Sequence, residues 1–167
     1  MSGDRQERSE ELLRAEHKKA EEELIKSRQL LQTIYDAMPD AVVVADMNFN
    51  IISCNQAVYR VLGYEPEELV GKNYAVLIPE ARLVHPEHKK RMAELLEKGH
   101  LRDDDYLIKR KNGETFPASF TAAVVRDEQG NNISLVGTIR DVTERKKIER
   151  EIIYFKSLYE GIIDELL

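Results

Sequence analysis

Residues 131–147 read NNISLVGTIRDVTERKK and join two kinds of sequence pattern. In the first part, one set of alternating positions is apolar or small: Ile133, Leu135, Gly137 and Ile139. This alternation is typical of a strand with one buried face. From Asp141 onward the segment is charged, and apolar residues return at helical spacing. A sheet that runs directly into a helix is a mechanical coupling, and this junction favours a sensor over an enzyme.

The composition indicates a globular core with very polar flanks. The 167 residues are 42% hydrophobic and 34% charged, which suits one domain with additional segments. No run of 18 apolar residues occurs, and the charged start from Asp4 does not resemble a secretory signal, so we expect no membrane segment. A net charge of −6 without a large basic patch argues against nucleic acid as a partner. The single cysteine, Cys54, favours a reducing compartment, and we expect a cytoplasmic protein.

Residues 1–38 are predicted to form an amphipathic coiled-coil helix. The segment is rich in Glu, Lys, Arg, Leu and Ala, and Pro39 ends it because the residue before a proline is pushed out of helical geometry. A 4-3-4-3 spacing marks a heptad seam, which is weakened by His17 and Ser27. The seam consists of Leu13, His17, Ala20, Leu24, Ser27, Leu31, Ile34 and Met38.

Residues 39–141 are predicted to form a globular α+β domain. The expected elements are strands at 41–45 and 51–53, short helices at 55–62 and 65–70, an irregular stretch at 73–83, a helix at 86–97, and strands at about 102–110, 115–126 and 132–141. Asn55 is expected to cap the first short helix. The order is two strands, a helical crossover and a three-stranded meander.

Residues 142–167 are predicted to form a second coiled-coil helix. Its 4-3-4-3 seam consists of Ile148, Ile152, Phe155, Tyr159, Ile162 and Leu166. Asp141 and Glu144 stand three residues apart, as an N-cap and its reciprocal acceptor do. The YEGIID at 159–164 is similar to the YDAMPD at 35–40, which leaves open a second copy of the unit or two amphipathic helices that look alike.

Several segments resemble a PAS domain, in the order of that family. The DAVVV at 40–44 resembles the first strand, and the ISCNQA at 52–57 resembles the second strand and the helix after it. The LGY at 62–64 with the EELVGK at 67–72 resembles the family's GY-x-x-EE-L-x-G stretch. The KRKNGETFPA at 109–118 resembles the turn between the third and fourth strands. The GTIRDVTER at 137–145 resembles the closing strand with its D-[IV]-T signature.

The resemblance implies a sensory module of a bacterial or archaeal signal-transduction protein, such as a sensor histidine kinase. It implies a five-stranded antiparallel sheet with short helices on one face, flanked by the two coiled-coil helices. Such modules usually dimerise through these helices, so we expect a homodimer that relays a signal to an output domain, a histidine kinase or a diguanylate cyclase. Asp141, Thr143 and Glu144 are the predicted relay residues. The sequence contains no nucleophile elbow, phosphate loop or zinc-ligand pattern, so the chain itself is not expected to be an enzyme.

Haem is the first cofactor that the sequence raises. Helical spacing places His85 and His88 on the apolar stripe of the helix at 86–97, and an imidazole facing the cavity is a potential axial ligand of haem iron. His88 resembles the proximal histidine of haem-binding oxygen sensors in this family. Glu94 and Asp104 stand where those sensors carry arginines, and an inward Phe120 would take space that a porphyrin needs. The alternative is a half-exposed His88 without a ligand.

Flavin has less support than haem. The photoactive members of the family carry a reactive cysteine in a GRNC stretch, whereas here Gly71-Lys72-Asn73 is followed by Tyr74. Cys54 is expected to be part of the core, with a thiol redox switch as the alternative. The acidic run 103–105 suggests a metal ligand set or, as the favoured interpretation, a solvated strand start.

A small-molecule pocket and a ligand-free interaction and dimerisation domain both stay open. The candidate pocket residues are Met92, Leu95, Leu96, Tyr106, Phe120, Leu135 and Ile139, which a filled core would also use. A genuine pocket adds a few convergent polar groups. Those available are Tyr59, Tyr74, Arg91 and Thr138.

Overall fold

A computed structural model describes residues 3–166, and it describes side chains from residue 7 to residue 163. The first helix, α1 (Gly3–Ala37), forms a unit of its own with 35 residues. The apolar side chains of its seam are exposed, including Leu13, Leu24, Leu31 and Ile34. Helices of this composition need a partner surface, because most helical stability in proteins comes from packing of the apolar face.

The second unit contains a five-stranded antiparallel sheet. The strands are β1 (Ala41–Ala45), β2 (Ile51–Cys54), β3 (His100–Lys109), β4 (Thr115–Arg126) and β5 (Asn132–Asp141). Their order is β2-β1-β5-β4-β3, so the first and last strands of the domain pair at its centre. The predicted α+β class with five antiparallel strands is confirmed.

Helices form the crossover between β2 and β3. They are α2 (Ala57–Leu62), α3 (Pro66–Leu69), a 3₁₀ helix (Tyr74–Leu77), α4 (Glu80–Leu83) and the longer α5 (Pro86–Lys98). The irregular stretch predicted at 73–83 is therefore wrong. The Asn73 side chain accepts from the amide of Ala75 and starts the 3₁₀ helix, and Pro79 begins α4 instead of only breaking the chain.

The prediction that Asn55 caps α2 is wrong. Gln56 stands at the N-cap position, and the buried Asn55 side chain reaches back to the first strand. Its Oδ1 accepts the amide of Val42 at 2.9 Å, and its Nδ2 donates to the carbonyl of Asp40 at 3.1 Å. The side chain therefore joins the end of β2 to the start of β1, because its polar atoms must find partners in the core.

A bulge in β3 sets which side chains of this strand face the helices. The register shifts between Asp103 and Tyr106. Before the bulge, Leu101 and Asp103 are the more buried positions, whereas after it Tyr106 and Ile108 are. A slip of one residue moves every following side chain to the opposite face of a strand. The acidic run therefore lies within the strand and not at its start as predicted, while Asp104 and Asp105 are exposed, as that interpretation expects.

A single residue, Val142, separates the last helix, α6 (Thr143–Leu166), from the end of β5. Val142 between them is buried, and its amide donates to the carbonyl of Pro117 in β4 at 3.1 Å. Along α6 the apolar seam is exposed from Ile148 to Ile162, and the side chain of Leu166 lies outside the described residues.

Candidate functional site

A small cavity lies between the inner face of the sheet and the helices. Its volume is about 70 Å³, and apolar side chains make up most of its wall. Pockets for drug-sized ligands are about 300–1,000 Å³. The cavity is therefore large enough for a few small atoms, and too small for an extended cofactor.

Six of the seven pocket candidates line this cavity: Met92, Leu95, Tyr106, Phe120, Leu135 and Ile139. Leu96 does not. It lies partly buried against a neighbouring cluster that contains Ala45, Leu95 and Ala122. One residue along a helix is a rotation of about 100°, so Leu95 and Leu96 cannot both point at the same space.

The cavity wall also contains residues that sequence reasoning had not assigned to it. They include Val43, Phe49, Leu77, Ile78 and Ile108, whereas Tyr74, which also lines the cavity, was one of the polar groups that the sequence offered for it. Ile108 follows from alternation with Tyr106 on β3, so that signal was present, whereas the wholly apolar run 41–45 gives no direction for Val43. Leu77 and Ile78 belong to the stretch that had been predicted as irregular, which gave no period from which to read a direction.

Phe120 fills much of the space beside the central strand. Its Cε2 atom lies 3.3 Å from the position that a Cβ would take on Gly137, which is its diagonal neighbour on β5 and pairs with Ala122. Glycine at this position lets the phenyl ring lie against the strand, since a side chain would collide with it. Phe120 and Gly137 both line the cavity, so their close packing is one of the features that shape it.

His88 belongs to a buried polar cluster at the cavity wall. Its Nε2 lies 2.8 Å from the hydroxyl of Tyr74, and its Nδ1 lies 3.0 Å from the hydroxyl of Tyr106. The residue is 6% exposed, so the expected half-exposed histidine is wrong. His85 is also not on the apolar stripe, since it caps α5 by accepting the amide of Glu87 on Nδ1.

The cluster is arranged for neutral groups. Burial, with the charges of Arg82 and Arg91, lowers the pKa of His88. Burial, with a smaller electrostatic contribution from Tyr106, raises the pKa of Tyr74 to about 12. A neutral imidazole has one N–H and one bare nitrogen, so one tyrosine accepts a hydrogen bond from His88 and the other donates to it.

These residues do not fit haem in this arrangement. An axial histidine needs one ring nitrogen free for the iron, whereas both nitrogens of His88 are engaged by tyrosine hydroxyls. The cavity volume of about 70 Å³ also leaves no space for a porphyrin. His88 thus has the surroundings of a structural polar residue.

The remaining polar pocket candidates, which are Tyr59, Arg91 and Thr138, do not line the cavity. Tyr59 is exposed, Arg91 pairs with Asp103, and the hydroxyls of Thr121 and Thr138 hydrogen-bond each other across β4 and β5. Burial, with a smaller contribution from Glu67, raises the pKa of the Cys54 thiol, which disfavours the reactive thiolate. Within the described residues, no group of His, Cys, Asp and Glu is arranged to hold a metal ion.

The junction between β5 and α6 is held by one carboxylate. Oδ1 of Asp141 accepts the amide of Thr143 at 2.8 Å, and Oδ2 lies 2.5 Å from Nη2 of Arg110. Burial raises the pKa of this carboxyl, but hydrogen bonds from Thr143 and Arg110 outweigh it and leave the pKa lowered. Both interactions favour the charged form.

The cap differs in detail from the predicted capping box. The amide of Lys146 donates to the carbonyl of Val142, so Val142 is the N-cap of α6 and Asp141 lies one residue before the cap position. Glu144 pairs with Lys147 in the first turn. The hydroxyl of Thr143 is buried and makes no hydrogen bond of ordinary geometry to the described residues, although it lies close enough to Asp141 to help lower its pKa.

Comparisons with known proteins agree with this architecture. The profile of the PAS domain family matches residues 39–144. The sensor histidine kinase TmoS of Ectopseudomonas mendocina is 28% identical over 128 residues, 75% of this chain and 13% of that protein. The oxygen sensor protein DosP of Escherichia coli (strain K12) is 28% identical over 128 residues, 74% of this chain and 15% of that protein. The crystal structure of the PAS domain of a Colwellia psychrerythraea protein has a TM-score of 0.64 at 21% identity, covering 72% of this chain and 98% of that one.

The antiparallel sheet, the helical crossover and the small cavity between them define an α+β module. The chain belongs to the PAS domain family, as its sequence had predicted, and its relatives include proteins of signal transduction. It spans only 13–15% of the length of the two curated relatives named above. No helix between residues 3 and 166 combines the length and the apolar character needed to cross a membrane.

Proposed function

We propose that this PAS module relays a change at its cavity or dimer interface through its flanking helices to an output domain. The observation that carries this proposal is the double contact of β5. Leu135, Gly137 and Ile139 of this strand line the cavity, and only Val142 separates the strand from α6. A shift of β5 therefore changes the starting position of α6. In this assignment the sensor core is residues 39–141, with helical segments at 1–38 and 142–167.

Dimerisation through the helices is part of the proposal. Both helices expose apolar residues at heptad spacing, for example Leu24 and Leu31 in α1 and Ile152 and Phe155 in α6. A second copy of this chain presents the same seams, and parallel pairing of such seams buries them as knobs in holes. Paired helices can then rotate or change register and bias the output between two states.

The proposed output domain is a histidine kinase or a similar module. The relative TmoS is named a sensor histidine kinase, and this chain corresponds to a small part of it. The proposal gives this chain no catalytic step of its own.

The cavity supports two versions of the input. Its size and apolar wall suit a small uncharged molecule with few heavy atoms. The filling of the space by Phe120 favours the second version, in which the core holds no ligand and the dimer interface is the input. Native mass spectrometry of the purified protein distinguishes them, because a retained small molecule supports the first version and a clean protein mass supports the second.

The relay is tested by fusing residues 1–167 to a histidine kinase catalytic region. Because Asp141 holds the start of α6, Asp141→Asn is expected to change the autophosphorylation rate several-fold. Asp127→Asn is the matched control, since Asp127 orders the turn between β4 and β5 by accepting amides of Gln129 and Asn131. A fusion whose rate is the same with either residue at position 141 contradicts the relay through Asp141.

A further inference from the structure

The three carboxylates of the acidic run at 103–105 contact three different parts of the fold. Asp103 pairs with Arg91 of α5 and lies 3.6 Å from Arg82 of α4. Asp104 accepts the hydroxyl of Ser119 of β4 at 2.7 Å. Asp105 pairs with Lys146 in the first turn of α6. One short segment thus contacts the helices on the cavity side and the helix that leaves the domain.

We propose that this segment is a second coupling element, which connects α4 and α5 to α6 independently of β5. The bulge between Asp103 and Tyr106 leaves Asp104 and Asp105 outside the regular pairs of β3 and β4, and the register on its two sides differs by one residue. The ladder is locally disrupted at a bulge, so the proposal places the change of backbone conformation there. The carboxylates at its two ends then transmit that change to Arg91 and Lys146.

The cavity side of the segment is tied to the polar cluster around His88. The guanidinium of Arg82 lies 4.1 Å above the ring of Tyr106 and 3.6 Å from the carboxylate of Asp103. The hydroxyl of Tyr106 in turn contacts His88. Asp103 and Arg91 are both largely buried, with exposed side-chain fractions of 11% and 28%. A change in the packing of α5 against the cavity consequently moves the partners of Asp103.

The helix side of the segment is more exposed. Asp105 is 72% exposed at its side chain, whereas Lys146 is only 22% exposed and lies against the domain. Exposed ion pairs contribute about 0.2–1 kcal/mol, so this contact is suited to bias α6 without locking it. Lys147, the next residue, pairs with Glu144 inside α6 and does not take part in the contact with β3.

The test is a double-mutant cycle read by amide hydrogen exchange of the intact chain. We expect Arg91→Gln to lower the protection of amides 146–150 by about two- to fivefold, relative to amides of β1 that report global unfolding. Lys146→Gln should give a similar loss, and the double variant should lose no more than Lys146→Gln alone. With Lys147→Gln as the matched control, the effects of the two substitutions should multiply.

The reverse direction provides a second measurement on a surface variant that should fold normally. Coupling between two sites is reciprocal, so Asp105→Asn should lower the protection of amides 90–95 in α5 by a comparable factor. Unchanged protection of α6 in Arg91→Gln, multiplied effects in the double variant, or unchanged α5 in Asp105→Asn overturns the proposal. These measurements need no output domain, so their failure leaves the relay through β5 untouched.

Discussion

Arg110 and Asp141 form an ion pair at the point where the sheet gives way to the last helix, with Nη2 2.5 Å from Oδ2. The guanidinium also lies 3.8 Å above the ring of Phe116 and donates to the carbonyl of Val61 at the end of α2. Because Arg110 is held on several sides, it fixes the carboxylate that accepts the first amide of α6, that of Thr143. The start of this helix is therefore positioned by the hairpin between β3 and β4 as well as by β5.

The Asp141 carboxylate should stabilise the domain through two separate interactions. Asp141→Ala loses both the hydrogen bond to the amide of Thr143 and the ion pair, with an expected loss of about 0.5–2 kcal/mol in the free energy of unfolding. Asp141→Asn keeps an oxygen for the amide and should lose less. Urea unfolding of the three proteins measures the order, and an equal loss for both variants contradicts a separate contribution of the ion pair.

The stability should depend on pH through His88. Its folded-state pKa is lowered by burial and by Arg82 and Arg91, so the unfolded chain binds the proton more readily. The stability contributed by neutral His88 is therefore complete above its ordinary pKa of about 6.5 and is lost as the pH falls below that value. The difference between wild type and His88→Gln in unfolding free energy should shrink from pH 7.5 to pH 5.

The other histidines are present in both proteins, so their contributions cancel in that difference. A difference that is constant with pH means that His88 keeps its ordinary pKa in the folded domain.

The tyrosine hydroxyls of the polar cluster should stabilise the domain, so replacing tyrosine with phenylalanine is expected to lower the free energy of unfolding. Tyr106→Phe leaves one nitrogen of a buried His88 without its hydroxyl partner, which is expected to cost about 1–3 kcal/mol. The combination Tyr106→Phe with His88→Leu replaces both polar partners and should recover part of this loss. Leu107→Ala, on the exposed face of the same strand, is the control for general weakening of β3. Additive losses in the double variant contradict a specific hydrogen bond.

The cavity volume should follow the pair Phe120 and Gly137. Phe120→Val is expected to enlarge the cavity, and Gly137→Ala to reduce it by displacing the phenyl ring. Apolar cavities bind xenon, so xenon-induced shifts of the methyl groups of Leu135 and Ile139 report the accessible space. We expect larger shifts than wild type in Phe120→Val and smaller shifts in Gly137→Ala. The same shifts in all three proteins mean that Phe120 does not limit the cavity.

The existence of the central strands followed from the sequence because their hydrophobic patterns are local signals. Residues 132–141 alternate, whereas residues 41–45 are a short apolar run, and the resemblance supplied a five-stranded antiparallel sheet but not the order of its strands. The contacts of Asn55 did not follow, since a capping residue and a residue that bridges two strands have the same local sequence. Only the fold shows that the start of β1 lies within reach of its side chain.

The polar cluster around His88 was partly accessible for a related reason. Helical spacing put His88 on the inner face of α5, which is correct. The position of Tyr106 depends on the β3 bulge, because an unbroken alternation from Leu101 would turn Tyr106 outward. A bulge inserts a single residue and has no periodic signature. Tyr106 and Tyr74 were nevertheless among the pocket candidates, and only their hydrogen bonds to His88 had to come from the structure.

The proposed dimer makes a sharp prediction for two neighbouring residues of α6. Ile152 and Ile153 are exposed to nearly the same extent, 61% and 64%, but only Ile152 lies on the heptad seam. Ile152→Glu places a charge inside the paired seam and should convert the protein to a monomer, whereas Ile153→Glu should stay dimeric. Sedimentation equilibrium at micromolar concentration measures both. A monomeric wild type, or equal behaviour of the two variants, contradicts pairing along this seam and removes the mechanical link from a shift of β5 to a dimeric output.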